Sequence, residues 1–122
     1  HYRDTRAALR FLVDVFGFQQ TVAVTDDDGD VVHAELRWPG SGAVVFGSTK
    51  HTGGVHAHMP TGENAMYVIT DGVDAVHQRV RSAGGAVVNS PHEAAFGSGA
   101  TAYAFTARDP EGNLWTFGTY RG

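Results

Sequence analysis

Near the start of the chain, apolar side chains recur at helical spacing. Ala8, Phe11, Leu12, Val15 and Phe16 fall three and four residues apart, which places them on one side of an α-helix. Asp4 precedes the run as an N-cap, and Gly17 follows it as a C-cap. The period then changes to two. Val32, Ala34, Leu36 and Trp38 alternate with His33, Glu35 and Arg37, which predicts a strand with one apolar and one polar face. Strand-like runs at 20–24 and 43–47 flank the run at 31–38. Asp28-Gly29 is a hairpin signal, and Pro39-Gly40 a tight-turn signal.

The second half repeats this order. Asp71 is expected to cap a helix with Val73, Val76, Val80 and Ala83 on its apolar side, ended by Gly84 and Gly85. Strand-like runs follow at 86–88, 101–107 and 114–120, and one at 64–70 precedes the helix. Asp4, Ala8, Val13 and Gly17 match Asp71, Ala75, Val80 and Gly84 at an offset of 67 positions. Arg37, Pro39, Phe46 and Gly47 match Arg108, Pro110, Phe117 and Gly118 at an offset of 71. The difference places an insertion of four residues (71 minus 67) around 90–99. Matches that keep their order at two nearby offsets mark a duplication. The unit is strand–helix–strand–strand–strand, present twice, so the fold class is α+β, two tandem βαβββ modules. The modules span 1–48 and 64–122, joined by a linker at 49–63. The counterpart of 64–70 falls mostly before His1, so the first strand is expected to be largely missing from this sequence.

Alternation assigns the faces. Tyr103, Phe105 and Ala107 lie under the second helix, with Ala102, Ala104, Thr106 and Arg108 opposite. Val44 and Phe46 match Trp115 and Phe117 as core residues. The other face carries Ala43, Val45 and Gly47 in the first module, and Leu114, Thr116, Gly118 and Tyr120 in the second. A polar face such as His33, Glu35 and Arg37 is either solvated or turned to a ligand.

The 122 residues suit one domain, large enough to bury about two thirds of its unfolded surface. The absence of cysteine excludes disulfides, thiolate metal sites and cysteine nucleophiles, and is compatible with a cytoplasmic protein. The net charge of −4 argues against nucleic-acid binding and mildly favours a cationic ligand. No apolar stretch approaches the ~20 residues that span a bilayer, and no signal peptide is visible.

Seven histidines raise the question of a metal. His51, His56 and His58 sit in the linker without a ligand spacing. His33 and Glu35 share a strand face, but two ligands are too few. Asp26-Asp27-Asp28-Gly29-Asp30 opens like a calcium loop, yet its twelfth position is Arg37 rather than glutamate, so it reads as a charged hairpin turn. His77 is expected on the exposed side of the second helix, and His92 carries no motif. No nucleophile elbow and no phosphate loop occur.

Tyr2-Arg3-Asp4 opening a helix that ends Phe16-Gly17-Phe18, and Arg108-Asp109-Pro110-Glu111-Gly112-Asn113-Leu114-Trp115, resemble the vicinal oxygen chelate superfamily, which includes glyoxalase I, bleomycin-resistance proteins and extradiol dioxygenases. His33-Ala34-Glu35-Leu36 and Trp115-Thr116-Phe117-Gly118-Thr119-Tyr120 are similar to its glyoxalase-like bacterial branch. The resemblance implies mixed sheets that curve into a concave cleft with helices on the outer face. It also implies a homodimer. In metal-dependent members, histidine or glutamate ligands come from the opening and closing strands of each module and hold a divalent ion such as Zn, Ni, Mn or Fe. Carried onto this chain, those positions are Thr116, Val45, a residue near Ala65 and one before His1.

No cofactor is therefore expected. The reading is a metal-free protein that binds and sequesters a small organic ligand, as resistance proteins do. The alternative is a divalent-metal-dependent lyase, isomerase or dioxygenase with non-standard ligands. A third possibility is a non-catalytic interaction module. Candidate ligand contacts are His33, Glu35, Arg37, Thr106, Arg108, Thr116 and Tyr120. Phe96, in the insertion, is a further candidate that either stacks on the ligand or anchors its loop.

Overall fold

A computed structural model describes residues 1–95 and 99–122. Its elements are α1 (Thr5–Phe11), which continues as a π-helical turn (Leu12–Phe16), β1 (Gln19–Thr25), β2 (Val31–Arg37) and β3 (Ala43–Phe46), then a 3-10 turn (Gly54–His56), β4 (Ala65–Ile69), α2 (Val73–Ser82), β5 (Val87–Ala95), β6 (Thr101–Arg108) and β7 (Leu114–Gly118). One sheet has the order β1-β2-β3, the other β4-β7-β6-β5. β4 runs parallel to β7, and the other pairs are antiparallel.

The duplication is visible in the hydrogen bonds. The Tyr2 N–H donates to Gly47 O at 3.0 Å, and the Thr70 N–H donates to Gly118 O at 2.8 Å. Tyr2 bridges Ser48 in parallel, as β4 pairs with β7. Tyr2 thus stands where the opening strand of the first module ends.

The local signals act largely as expected. Asp4 Oδ1 accepts from the Ala7 N–H at 3.1 Å, and Gly17 ends the first helix at φ 97°. Both Gly17 and Phe18 donate to Leu12 O, which tightens the chain into its turn. Ala8, Leu12, Phe16, Val73, Val76 and Val80 are buried.

Four local expectations are corrected. Asp71 does not cap α2. The N-cap is Gly72, whose N–H is taken by Thr70 Oγ1, while Asp71 turns outward to pair with Arg121 at 3.0 Å. Ala83 is exposed, because it lies beyond the last turn that faces the sheet. The region around the insertion is not a loop up to residue 95: β5 continues through Pro91, with irregular pairing to β6 between Val87 and His92 absorbing the extra length. His77 is half-buried and packs edge-on to Phe105 at 5.2 Å.

The apolar faces of both sheets meet in one core. Phe16 contacts Trp115 and Phe117 with ring centroids 5.5 and 4.8 Å apart. Phe18 bridges Trp38 and Trp115 at 5.0 and 5.6 Å. The helices lie on this side; the opposite face is open on β2 and β3 and partly covered on the second sheet, where Ala102 and Ala104 are buried.

Candidate functional site

The open face of the first sheet is built by the alternation on β2 and β3. His33 Nε2 and Glu35 Oε1 are 2.9 Å apart, with about half of each side chain exposed. Glu35 stands opposite Val45, and Arg37 opposite Ala43. Arg37 is exposed, and Val45 is 65% exposed although it is apolar. A lone exposed valine is ordinary; a valine framed by a histidine, a carboxylate and an arginine on one sheet face makes a surface with both apolar and charged contacts.

The second sheet presents a matching face. Tyr67 on β4, Thr116 on β7 and Thr106 on β6 occupy one row across three strands. The Thr106 and Thr116 hydroxyls are 2.8 Å apart. The Tyr67 hydroxyl accepts the Tyr120 backbone N–H at 3.0 Å, and its ring lies over Gly118. A Cβ at Gly118 would collide with that hydroxyl, which is the reason a glycine ends β7. Arg108 is exposed, and its Nη1 donates to Gly112 O at 2.8 Å, tying it to the β6–β7 turn.

The expected contacts thus divide into two groups. His33, Glu35 and Arg37 come together on the first sheet. Thr106, Arg108, Thr116 and the half-buried Tyr120 come together on the second. Within one chain each group lies on the side of its sheet away from the shared core. Phe96 lies outside the described residues. Tyr67 is the residue that sequence reasoning passed over. Its signal was the alternation on 64–70, which puts it on the same face as Ala65 and, by pairing, directly beside Thr116.

The positions that the family pattern assigns to metal ligands can now be tested on this chain. Val45 carries no donor. Ala65 carries none, and its exposed face is shared by Tyr67, a phenol. The Thr116 hydroxyl is engaged with Thr106. These residues do not fit a divalent ion, which needs histidine or carboxylate donors.

Between the sheets runs a groove of about 720 Å³, bordered by Phe18, Trp38, Met66, Trp115 and the Asp71–Arg121 pair. A cavity of about 270 Å³, bordered by Tyr2, Phe46, Met66 and Trp115, adjoins it. Neither touches His33, Glu35, Thr106 or Thr116, but Tyr67 borders the groove and Val45 the cavity, so both reach residues of the open faces. Both run between β3 and β4, beside the open faces.

The Glyoxalase/Bleomycin resistance protein/Dioxygenase superfamily model matches residues 2–117. The chain belongs to this superfamily. Among solved structures, it is similar to TioX from Micromonospora sp. ML1, at 28% identity and a TM-score of 0.79, over 98% of this chain and 93% of that one. It is also similar to the virulence protein STM3117 from Salmonella typhimurium, at 25% identity and 0.73, over 98% and 90%. TnmS3, an antibiotic binding protein from Streptomyces sp. CB03234, shares the fold at 23% identity and 0.70, over 93% and 84%. No curated protein matches the chain. Among the described residues of this superfamily member, no helix is long and apolar enough to cross a membrane.

Proposed function

We propose that this protein binds a small organic molecule on its open sheet faces and sequesters it without a catalytic metal. The observation that carries the reading is the identity of the open-face residues. Where metal-dependent relatives need histidine or glutamate, this chain has Val45, Ala65 and Thr116, set among His33, Glu35, Arg37, Tyr67 and Arg108. Such a face offers an apolar floor, an aromatic ring and charges of both signs, which suits a ligand with a flat apolar body and polar substituents. The fold shared with an antibiotic binding protein supports the same class of ligand.

A second copy would close the two open faces into a cleft. The proposed assembly is a homodimer in which the β2–β3 face of one chain meets the β6–β7 face of the other. The ligand would then touch His33 and Glu35 from one copy and Tyr67, Thr106 and Thr116 from its partner.

The test is calorimetric titration with a panel of aromatic antibiotics in the presence of EDTA, with light scattering for mass. Saturable binding at one site per cleft, undiminished by the chelator and accompanied by a dimeric mass, is the expected result. Binding or turnover that disappears with EDTA and returns with an added metal would overturn the metal-free reading.

A further inference from the structure

At the end of the hairpin that carries His33, the β1–β2 turn meets the segment that follows β3. Asp26 and Asp30 stand at the two ends of the turn, and His51 reaches them from beyond β3. Asp26 Oδ1 accepts the N–H groups of Asp28 and Asp30 at 3.0 and 2.9 Å, leaving Oδ2 to face His51 Nε2 at 2.9 Å. One donor atom from each of Asp26, Asp30 and His51 lies within 4.8 Å of the others.

Asp30 supplies an independent observation. Its Oδ1 accepts the Thr5 hydroxyl, while its Oδ2 is shielded from solvent and has no hydrogen-bond partner. With Thr5 on Oδ1, no hydrogen bond of normal geometry reaches Oδ2. A carboxylate oxygen shielded from water without a hydrogen bond of normal geometry is uncommon, and a cation is a partner that would satisfy it.

The donor set selects the kind of cation. One imidazole and two carboxylates form a nitrogen–oxygen set suited to first-row divalent metals. Calcium and magnesium prefer all-oxygen sites. At bonds of about 2.0–2.2 Å, tetrahedral donor atoms sit roughly 3.3–3.6 Å apart, so the three donors, now within 4.8 Å of one another, draw together when the ion binds. We propose that Asp26, Asp30 and His51 bind one first-row divalent cation, with zinc(II) as the best match, and that the ion clips the β1–β2 turn to the segment after β3. The His51–Asp26 hydrogen bond is the metal-free form of this contact. Water completes the coordination, since three protein ligands leave one tetrahedral position open.

The experiment is titration of chelator-stripped protein with zinc sulfate, followed by calorimetry and by nitrogen-15 spectra of the histidine rings. One equivalent of zinc should bind, and among the seven histidines only the His51 ring nitrogens should shift strongly. His51→Ala and Asp26→Asn should each weaken binding at least about tenfold, the scale on which loss of a supporting group alone acts. A variant with both His56→Ala and His58→Ala should bind as the parent does. Shifts at His33, His56 or His58 in place of His51, or no saturable binding, would overturn the proposal. The ring spectra of the parent protein keep the test decisive even if a variant folds poorly. Antibiotic binding in EDTA is read separately, so either proposal can fail alone.

Discussion

The Tyr2 hydroxyl donates a 2.6 Å hydrogen bond to Asp109 Oδ2, across 107 positions of sequence. Tyr2 lies beside the end of β3, and Asp109 opens the β6–β7 turn, so the contact joins one module to the other. Asp109 is 5% exposed and also accepts from Asn113 Nδ2 and Trp115 Nε1 at Oδ2, and from the N–H groups of Glu111 and Asn113 at Oδ1. The Asp-Pro-Glu-Gly turn is therefore more than a reversal of the chain. Its aspartate gathers donors from both modules, and Glu111 in the same turn accepts the backbone N–H groups of Arg3 and Asp4, each at 2.8 Å.

Removal of either partner should separate these roles. Tyr2→Phe leaves Asp109 with four donors and is expected to cost about 1–3 kcal/mol, the range for one hydrogen bond to a charged group. Asp109→Ala strands the Tyr2 hydroxyl, the Trp115 N–H and the Asn113 amide together, and should cost about 3–5 kcal/mol. Urea unfolding of both variants checks the order. An equal loss would mean that Tyr2 carries the whole interaction.

The same contact sets an alkaline limit. Burial, then the Asp109 charge and the hydrogen bond to it, push the Tyr2 hydroxyl well above its ordinary value of 10.0. A group whose pKa is raised on folding stabilises the fold fully below its unfolded value and loses that contribution as pH rises beyond it. Stability should therefore fall above about pH 10. The fall should be shallower in Tyr2→Phe, although not abolished, because the Asp74 carboxylate that accepts the Tyr103 hydroxyl raises that tyrosine too. Urea midpoints measured at several values between about pH 9 and 11 would show the change in slope.

Phe117 and Phe46 occupy equivalent places in the repeat, but the structure distinguishes them. Phe117 is fully buried and in ring contact with Phe16, Trp38 and Phe105. Phe46 is 7% exposed, and its ring partner is Tyr2. Phe117→Ala is expected to cost about 3–5 kcal/mol, and Phe46→Ala less, within about 2–4 kcal/mol. Thermal unfolding tests this. A cost below ~1 kcal/mol at Phe117 would be that of a surface site and would invert the assigned face.

The helices, most strands and the core faces were legible because they rest on local period: Ala8, Leu12 and Phe16 repeat at helical spacing, and Leu36 and Trp38 alternate with Glu35 and Arg37. The repeat carried the pairing of the two halves. What escaped depends on contacts between distant segments. The cap of α2 passed from Asp71 to Gly72, whose N–H is taken by Thr70 Oγ1, while Asp71 pairs at the surface with Arg121, fifty positions away. β5 ran on through Pro91 because β6 supports it across an irregular register. On the open faces, His33 and Glu35 were readable as neighbours on one strand. For Tyr67 the alternation on 64–70 marked its face, but its place beside Thr116 comes from a parallel pairing that no short motif announces.

Gly118 gives a direct measure of the second face. A methyl group there would meet the Tyr67 hydroxyl and come within 3.0 Å of Ala104 Cβ. Gly118→Ala should cost about 1–3 kcal/mol, as overpacking does. In a Tyr67→Ala background the same change should cost no more than half as much, because the longer obstacle has gone. A double-mutant cycle read by urea unfolding gives the coupling. No coupling would mean that Tyr67 does not lie over Gly118 in solution.

The first face is tested by changes that leave the fold intact. The His33–Glu35 pair is half-exposed, and pairs of this kind contribute little to stability because water screens them and long side chains lose freedom in making them. His33→Ala and Glu35→Ala should therefore shift stability by less than about 0.5 kcal/mol. If the pair contacts a ligand in a cleft, each change should weaken binding of an antibiotic found by titration about fivefold to a hundredfold, the range of a lost hydrogen bond in a partly desolvated site. The comparison must be made on Glu35→Gln as well. Glutamine keeps the shape and removes the charge, so a loss shared by both Glu35 variants points to charge recognition, and a loss confined to alanine points to shape. Unchanged affinity in all three variants would return β2 to the role of a solvated strand and leave the β6–β7 face, with Tyr67 and Thr116, as the sole ligand surface.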